Sequence, residues 1–221
     1  MASEQSHFSL GFDDLGLQDQ LMWGIKACGF EEPTAIQQAA IPVLLGGMNA
    51  FGEAQTGSGK TAAYVIPALS KLRNCGSNEV LVLVPTRELA HQVETEFLKI
   101  GQHLDLTTTT IIGGASAYRQ IELCNRGARI VVATPGRMLD LLQNRRLQKF
   151  SPHFVVLDEA DEMLDMGFIE DIKDILKFLP DKKQIALFSA TLPKPIMRLV
   201  QKEFTEPVHV KTPDSGKRNL D

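Results

Sequence analysis

The chain has 221 residues, of which 43% are hydrophobic and 23% are charged. This length and composition are typical of one large or two small globular domains with a buried core. No apolar run reaches the roughly 18 residues that a membrane-spanning helix needs, and the polar start of the chain lacks the apolar stretch of a secretory signal. The net charge of −4 excludes nucleic-acid binding through overall charge, so any such binding needs a local basic surface. We therefore expect a cytoplasmic protein, with the nucleus as the alternative.

The cysteines Cys28, Cys75 and Cys124 are widely spaced along the chain and form no C-x-x-C pair. This spacing argues against a disulfide framework and against a zinc site. We expect inert thiols in a reducing compartment.

Short β-rich apolar runs alternate with longer helical patterns along the chain. The predicted strands are Ala50–Ala54, Val80–Val84, Thr107–Ile112, Ile130–Ala133, Phe154–Asp158, Ile185–Phe188 and Val208–Val210. The predicted helices are Leu15–Phe30, Ala35–Leu45, Lys60–Arg73, Arg87–Gly101, Ser116–Asn125, Arg137–Asn144, Ile169–Phe178 and Lys194–Glu203. Several strands are apolar throughout, which is typical of strands covered on both faces. The pattern predicts an α/β fold, a doubly wound and mostly parallel sheet with helices on both faces.

A glycine-rich segment follows the first predicted strand and opens a helix; it reads Ala54-Gln55-Thr56-Gly57-Ser58-Gly59-Lys60-Thr61. Its glycines allow backbone N–H groups to turn towards phosphate oxygens, and the N-terminus of the following helix favours the same anion. Lys60 is suited to bind the β- and γ-phosphates, and the hydroxyl of Thr61 is suited to ligate Mg²⁺. The usual pattern begins with glycine where this chain has Ala54. We interpret the segment as the phosphate loop of an ATP site.

An acidic cluster, Asp158–Asp161, ends the buried strand predicted at Phe154–Asp158. A carboxylate at the tip of such a strand can hold Mg²⁺ through water, and we assign this role to Asp158. Glu159 is suited to orient or deprotonate the attacking water. Because ligands of open α/β sheets lie at the carboxyl ends of the strands, we expect the acidic cluster and the phosphate loop to form one site.

These segments, together with others in the same order, resemble the motifs of the DEAD-box ATP-dependent RNA helicases, which take their name from the sequence at Asp158–Asp161. Residues 29–37 resemble the Q motif of that family, with an isolated aromatic residue upstream at Phe12. The other matches are Ala54–Thr61 with motif I, Pro85–Ala90 with motif Ia, Gly113-Gly114 with the GG element, Thr134–Arg137 with motif Ib and Ser189–Thr191 with motif III.

The resemblance implies the first of two RecA-like domains of a helicase. We place this domain at residues 10–210, with the Q motif at 10–38, a flexible start at 1–9 and an interdomain linker or tail at 211–221. In such a domain Gln37 would read the edge of adenine and Phe30 would pack on the base, with Phe12 and Glu32 in the same nucleotide site. A side-chain amide offers both a donor and an acceptor, as adenine requires.

The resemblance also implies that single-stranded or duplex RNA binds through its backbone to residues that follow the strands. These residues are Pro85, Thr86, Arg87, Gly113, Gly114, Thr134, Pro135, Gly136 and Arg137. Their hydroxyl, cationic and backbone N–H groups suit phosphates and sugars, and the scarcity of aromatic residues argues against base stacking. A structural interpretation is compatible with binding: Thr86 can cap the next helix through Leu89, and Pro135 suits a first helical turn.

Motif III supplies two hydroxyls, those of Ser189 and Thr191, that are suited to hydrogen-bond Asp161 and so couple nucleotide state to RNA binding. The alternative is a plain turn from strand to helix with a Ser/Thr cap. The candidates for the catalytic machinery are Lys60, Asp158, Glu159, Asp161, Ser189 and Thr191.

No segment resembles the His-Arg-x-Gly-Arg element of the second domain, whose arginines reach the γ-phosphate in this family. One such arginine is worth about 10³–10⁵ in rate. We therefore expect a monomeric N-terminal part of a helicase, without membrane contact, that binds ATP and Mg²⁺ but turns ATP over slowly. The alternatives are another P-loop enzyme, such as a DNA helicase or a small nucleotide kinase, and a nucleotide-gated scaffold domain without enzymatic activity. Gln37 and the acidic cluster argue against a kinase.

Overall fold

The structure, a computed structural model, describes residues 11–55, 57–73, 78–148 and 150–212. The predicted flexible start at 1–9, Thr56 of the phosphate loop, Cys75 and residues 213–221 of the predicted linker lie outside these residues. Cys28 and Cys124 are free thiols. Within the described ranges, no helix has the length and apolar character needed to cross a membrane.

The described residues form seven strands in one sheet. They are β1 (Ala50–Glu53), β2 (Val80–Leu83), β3 (Thr108–Ile111), β4 (Ile130–Ala133), β5 (Phe154–Asp158), β6 (Gln184–Ser189) and β7 (Val208–Val210). Their order is β3-β4-β2-β5-β6-β1-β7, and every neighbouring pair is parallel. The predicted fold class is confirmed, with strand bounds that differ by one residue at several ends. Ser189, for example, belongs to β6 rather than to the turn after it.

The helices are α1 (Asp19–Ala27), α2 (Ala35–Leu45), α3 (Lys60–Ser70), α4 (Arg87–Ile100), α5 (Ala117–Asn125), α6 (Pro135–Gln143), α7 (Ala160–Asp165), α8 (Ile169–Phe178) and α9 (Lys194–Glu203). The prediction of a helix over Leu15–Phe30 was too long. A 3₁₀ turn occupies Phe12–Leu15, and the chain leaves α1 through Gly29 in the left-handed region at φ 75°. Helix α7 was not predicted, because its few residues show mainly the acidic cluster.

Both faces of the sheet are buried, as the apolar runs predicted. Along β2, Val80 and Val82 pack into a core formed with α1 to α4, whereas Leu81 and Leu83 pack into a second core formed with α6 to α9. Successive side chains of a strand point to opposite faces, so an apolar run supplies both cores at once.

The strand order brings the two predicted nucleotide-binding segments together. In the register, Phe188 of β6 pairs with Gly52 of β1 on one side and with Asp158 of β5 on the other. Since all three strands run in the same direction, the phosphate loop after β1 and the acidic cluster at the end of β5 lie at the same edge of the sheet, on either side of β6.

Candidate functional site

The phosphate loop turns sharply into α3 at the carboxyl end of β1. Gly57 and Gly59 lie in the left-handed region, at φ 83° and 86°. A Cβ atom at Gly59 would lie 2.6 Å from Gln37 Nε2 and 2.9 Å from Thr34 Oγ1, which is closer than packing allows. Glycine is therefore required at this position by both conformation and space. The loop leads into α3, which starts at Lys60. The N-terminus of α3 faces a cleft between the phosphate loop and the acidic cluster.

Lys60 and the acidic cluster meet in this cleft. Lys60 Nζ lies 3.2 Å from Asp158 Oδ1 and 3.5 Å from Glu159 Oε1. The side chains of Lys60 and Asp158 are 7% and 1% exposed, so this ion pair is shielded from water. Burial raises the pKa of Asp158, and the charge of Lys60 opposes that rise. The charge of Lys60 thus neutralises a carboxylate that is buried away from water.

Glu159 adopts the left-handed region at φ 54°, which is uncommon for a residue other than glycine. Its backbone N–H donates to Asp158 Oδ1 over 2.9 Å. This sharp bend ends β5 and starts α7 at Ala160, and the carboxylates of Asp158 and Glu159 both face Lys60 across it.

Tyr64 is a residue of this site that the sequence motifs did not predict. Its hydroxyl donates to Asp158 Oδ2 over 2.8 Å, and its side chain is fully buried. Burial, followed by the nearby charge of Asp158, holds the pKa of Tyr64 well above its ordinary value. The signal that was available is its spacing: Tyr64 follows Lys60 by one helical turn and so shares its face of α3.

A cavity of about 450 Å³ joins the two halves of the predicted nucleotide site. Phe30, Glu32 and Gln37 line one part of it, and Lys60 and Asp158 line another. This volume lies within the range of small-molecule pockets. The cavity also has a wall that the sequence did not indicate, formed by Gln92 and Glu96 of α4. No sequence motif indicates these two residues, because they lie inside a helix, one turn apart, rather than at the end of a strand.

Gln37 connects the Q motif to the phosphate loop. Its side chain is 3% exposed, its Oε1 accepts from Thr34 N over 2.9 Å, and its Nε2 donates to Gly59 O over 3.0 Å. Both ends of the amide thus have protein partners, and recognition of adenine by Gln37 stays a prediction. Phe12 is buried behind Phe30, with the two rings stacked at 6.3 Å, and it does not line the cavity.

The remaining residues of the phosphate loop face two directions. Gly57 and Thr61 line the cavity just described. Ala54, Gln55 and Ser58 instead line a neighbouring cavity of about 710 Å³, on the side of β7. The loop therefore separates two depressions at this edge of the sheet.

Asp161 and motif III form the predicted hydrogen bonds. The backbone N–H and the hydroxyl of Thr191 donate to Asp161 Oδ2 over 2.9 and 3.0 Å, and the hydroxyl of Ser189 accepts from Asp161 N over 3.0 Å. Burial alone would raise the pKa of Asp161, but these hydrogen bonds outweigh burial and lower it. The carboxylate of Asp161 thus connects the acidic cluster to the end of β6.

Two of the predicted RNA-binding elements are in contact. Arg87 Nη1 donates to Gly113 O over 3.4 Å, and a Cβ atom at Gly114 would overlap the same guanidinium group. Gly114 also has a φ of 77°, so glycine is needed there for two reasons. Pro85, two residues after the end of β2, is buried. Motif Ia and the GG element therefore form one continuous edge beyond the strands.

Motif Ib starts α6. Pro135 occupies the first turn, as predicted, but the side chain of Thr134 makes no capping hydrogen bond. Gly136 is exposed beside it. Arg137 is paired within its own helix, with Nη1 3.4 Å from Asp140 Oδ2. A ligand phosphate would therefore compete with Asp140 for this guanidinium group.

Thr86 caps α4 as predicted, because its Oγ1 accepts from Leu89 N over 3.2 Å. We expect Thr86→Ala to lower the free energy of unfolding by about 1 kcal/mol, since a helix N–H loses its partner. Thr86→Ser keeps an acceptor oxygen and should stay close to the unchanged chain. Urea unfolding of the three proteins measures the effect, and equal midpoints for the alanine and serine variants would contradict the cap.

The comparisons with known proteins agree with this geometry. The family model of the DEAD/DEAH box helicases matches residues 34–199, more than half of the chain. The DEAD-box ATP-dependent RNA helicase RhpA of Helicobacter pylori (strain B128) is 44% identical over 218 residues, which cover 99% of this chain and 44% of that protein. The DEAD-box ATP-dependent RNA helicase CshA of Bacillus subtilis (strain 168) is 46% identical over 204 residues, which cover 92% of this chain and 41% of that protein.

The comparison with solved structures agrees with the sequence comparisons. The crystal structure of a DEAD box protein from the hyperthermophile Methanococcus jannaschii matches with a TM-score of 0.89 and 40% identity, over 92% of this chain and 56% of that chain. This chain spans less than half the length of the two curated relatives. On the family match, the identities and the shared fold, the chain belongs to the DEAD/DEAH box helicase family.

Proposed function

We propose that this chain is the ATP-binding domain of a DEAD-box RNA helicase, in which a second RecA-like domain couples ATP hydrolysis to RNA binding and local duplex unwinding. The proposal rests on a single cavity, which is lined by Phe30 and Gln37 in one part and by Lys60 and Asp158 in another. The curated relatives, which are named ATP-dependent RNA helicases, support the same activity.

In this proposal the phosphate loop binds the triphosphate. Backbone N–H groups of the loop and the N-terminus of α3 face the phosphates, and Lys60 moves from Asp158 to the β- and γ-phosphates. Glu159 then loses its lysine partner as well and becomes available to orient or deprotonate the attacking water. Phe30 packs on adenine, and Glu32, Gln92 and Glu96 line the same cavity.

The residues present also fit a magnesium ion that arrives with the nucleotide. Among the described residues, no group of three or more His, Cys, Asp or Glu side chains is placed to hold a metal ion. Mg²⁺ at a nucleotide needs no such group, because it keeps several waters and uses one or two protein oxygens with the phosphates. We assign those protein oxygens to Thr61 and Asp158. When bound, the ion neutralises the charge that develops on the β- and γ-phosphate oxygens.

We further infer that RNA binds along the edge formed by motifs Ia, GG and Ib. Arg87, Thr86 and the backbone around Gly113 offer charge, a hydroxyl and exposed main-chain groups suited to phosphates and sugars. Asp161, held by Ser189 and Thr191, links the nucleotide site to β6 and supports a route by which ATP affects RNA affinity. We propose residues 10–210 as this domain, acting as a monomer, and 211–221 as the connection to the second one.

Nucleotide selectivity tests the proposal. We expect the chain to bind a non-hydrolysable ATP analogue at least about tenfold more tightly than the matching GTP analogue, since we assign Gln37 to the edge of adenine and the edge of guanine presents its donors and acceptors in a different order. Isothermal titration calorimetry with Mg²⁺ measures both affinities. We also expect slow ATP turnover by this chain alone, in a coupled ATPase assay with and without RNA. Equal affinities for the two analogues, or turnover as fast as that of intact RNA-stimulated helicases, would contradict the proposal.

A further inference from the structure

The two carboxylate oxygens of Asp158 have different kinds of partner. Oδ1 accepts from Glu159 N over 2.9 Å and lies 3.2 Å from Lys60 Nζ, which faces the cavity. Oδ2 accepts from the hydroxyl of Tyr64 over 2.8 Å, on the side of the protein core. One oxygen is therefore paired with a group that faces the cavity, and the other with a group buried in the core.

Tyr64 is enclosed on all sides. Its side chain is fully buried, and its ring packs against that of Phe188 with 5.7 Å between centroids. Phe188 lies on β6 directly beside Asp158 in the sheet. A buried tyrosine hydroxyl needs a hydrogen-bond partner, and Asp158 Oδ2 supplies it here. The contact with Asp158 therefore satisfies a hydroxyl that is buried in the core.

Thr61 lies three residues before Tyr64 on α3, so the two side chains share one face of the helix. Tyr64 is therefore next to both residues to which we assign the protein ligands of Mg²⁺. A phenol hydroxyl donates a hydrogen bond without bringing a positive charge, so it orients the carboxylate while leaving its negative charge available to a cation.

We propose that Tyr64 is a positioning residue for Mg²⁺-dependent nucleotide binding. Its hydroxyl holds Oδ2 of Asp158 against the core, so that Oδ1 stays turned towards the cavity after Lys60 has moved to the phosphates. The inference rests on the proposed function, since it requires that nucleotide and Mg²⁺ bind in this cavity. A residue that only fills space would instead act through the bulk of its ring, which phenylalanine also provides.

Tyr64→Phe tests this role because it removes the hydroxyl and keeps the ring. The affinity for a non-hydrolysable ATP analogue is measured by calorimetry with excess Mg²⁺ and with EDTA, and the Mg²⁺ concentration for half-maximal binding is measured at fixed nucleotide. Partners that orient a metal ligand are worth about 10–100-fold in metal affinity. We expect the half-maximal Mg²⁺ concentration to rise by about tenfold or more, with affinity in EDTA unchanged within about twofold.

The chain offers a matched control in Tyr118, which is 74% exposed on α5 and removed from the cavity. Tyr118→Phe makes the same chemical change and should alter neither measurement. A double-mutant cycle tests whether Tyr64 acts through Asp158: in an Asp158→Asn background, Tyr64→Phe should have no further effect on the Mg²⁺ requirement.

Three results would overturn the inference. An unchanged Mg²⁺ requirement in Tyr64→Phe would show that the hydroxyl does not act on the metal ligands. Equal weakening with Mg²⁺ and with EDTA would show a packing role only. Failure of the unchanged chain to bind nucleotide in either condition would overturn the proposed function, and this inference with it, whereas the first two results leave the proposed function intact.

Discussion

Lys60→Ala is expected to weaken ATP binding by about 10- to 100-fold, because hydrogen bonds to charged groups are worth about 1.5–3 kcal/mol each. The same change should destabilise the nucleotide-free protein by about 3–5 kcal/mol. Lys60 is the cation beside Asp158, whose side chain is 1% exposed, and its removal leaves a buried carboxylate without a counter-charge. Calorimetry measures the first effect and urea unfolding the second.

The loss of stability should depend on pH in a defined direction. Burial already raises the pKa of Asp158 above its ordinary value of 3.8, and Lys60 opposes the rise. Without Lys60 the pKa rises further, so the folded state binds a proton at pH values where the unfolded state does not. Stability of the variant, relative to the unchanged chain, should therefore increase as the pH falls through this raised pKa.

Lys26→Ala provides the control for both measurements. Lys26 lies 3.3 Å from Asp13 in an ion pair whose side chains are 62% and 79% exposed, and such pairs contribute about 0–1 kcal/mol. Its removal should leave the nucleotide affinity unchanged. An unchanged affinity in Lys60→Ala would refute the phosphate role of Lys60, and an unchanged stability would refute the buried ion pair.

Gly24→Ala is expected to lower the free energy of unfolding by about 3 kcal/mol. Gly24 is buried in α1, and a Cβ atom there would overlap the backbone carbonyl of Ile100 at the end of α4. A backbone group cannot rotate aside as a side chain can, so the two helices must separate. Helix propensity alone would give the opposite sign, because alanine favours a helix over glycine by about 1 kcal/mol.

The sign of the change in urea unfolding therefore decides between close packing and propensity. Gly11→Ala is a suitable control, since a Cβ atom at Gly11 would lie 3.4 Å from the nearest atom, a carboxylate oxygen of the exposed Asp14. We expect little change in that variant. A Gly24→Ala protein as stable as the unchanged chain would contradict the close approach of α1 and α4.

The sequence by itself determined the fold class and the chemistry of the main elements. Apolar runs such as Val80–Val84 specify strands buried on both faces, because successive side chains point to opposite sides. The loop at Ala54–Thr61 and the acidic cluster were recognisable because their chemistry lies in consecutive residues. Their order along the chain also predicted the family, which the comparisons confirmed.

Only the tertiary structure decided which distant residues meet. Tyr64 and Asp158 are 94 positions apart, yet their side chains come within 2.8 Å, and Gln92 and Glu96 line the proposed nucleotide cavity from the interior of a helix. In the sequence, Gly24 has no feature that distinguishes it from other helix residues. The structure shows that the close packing of α1 on α4 requires glycine at this position. Hydrophobic periodicity indicates which face of a helix or strand a residue lies on. The residues that this face contacts depend on the strand order and on helix packing, which a local sequence pattern does not specify.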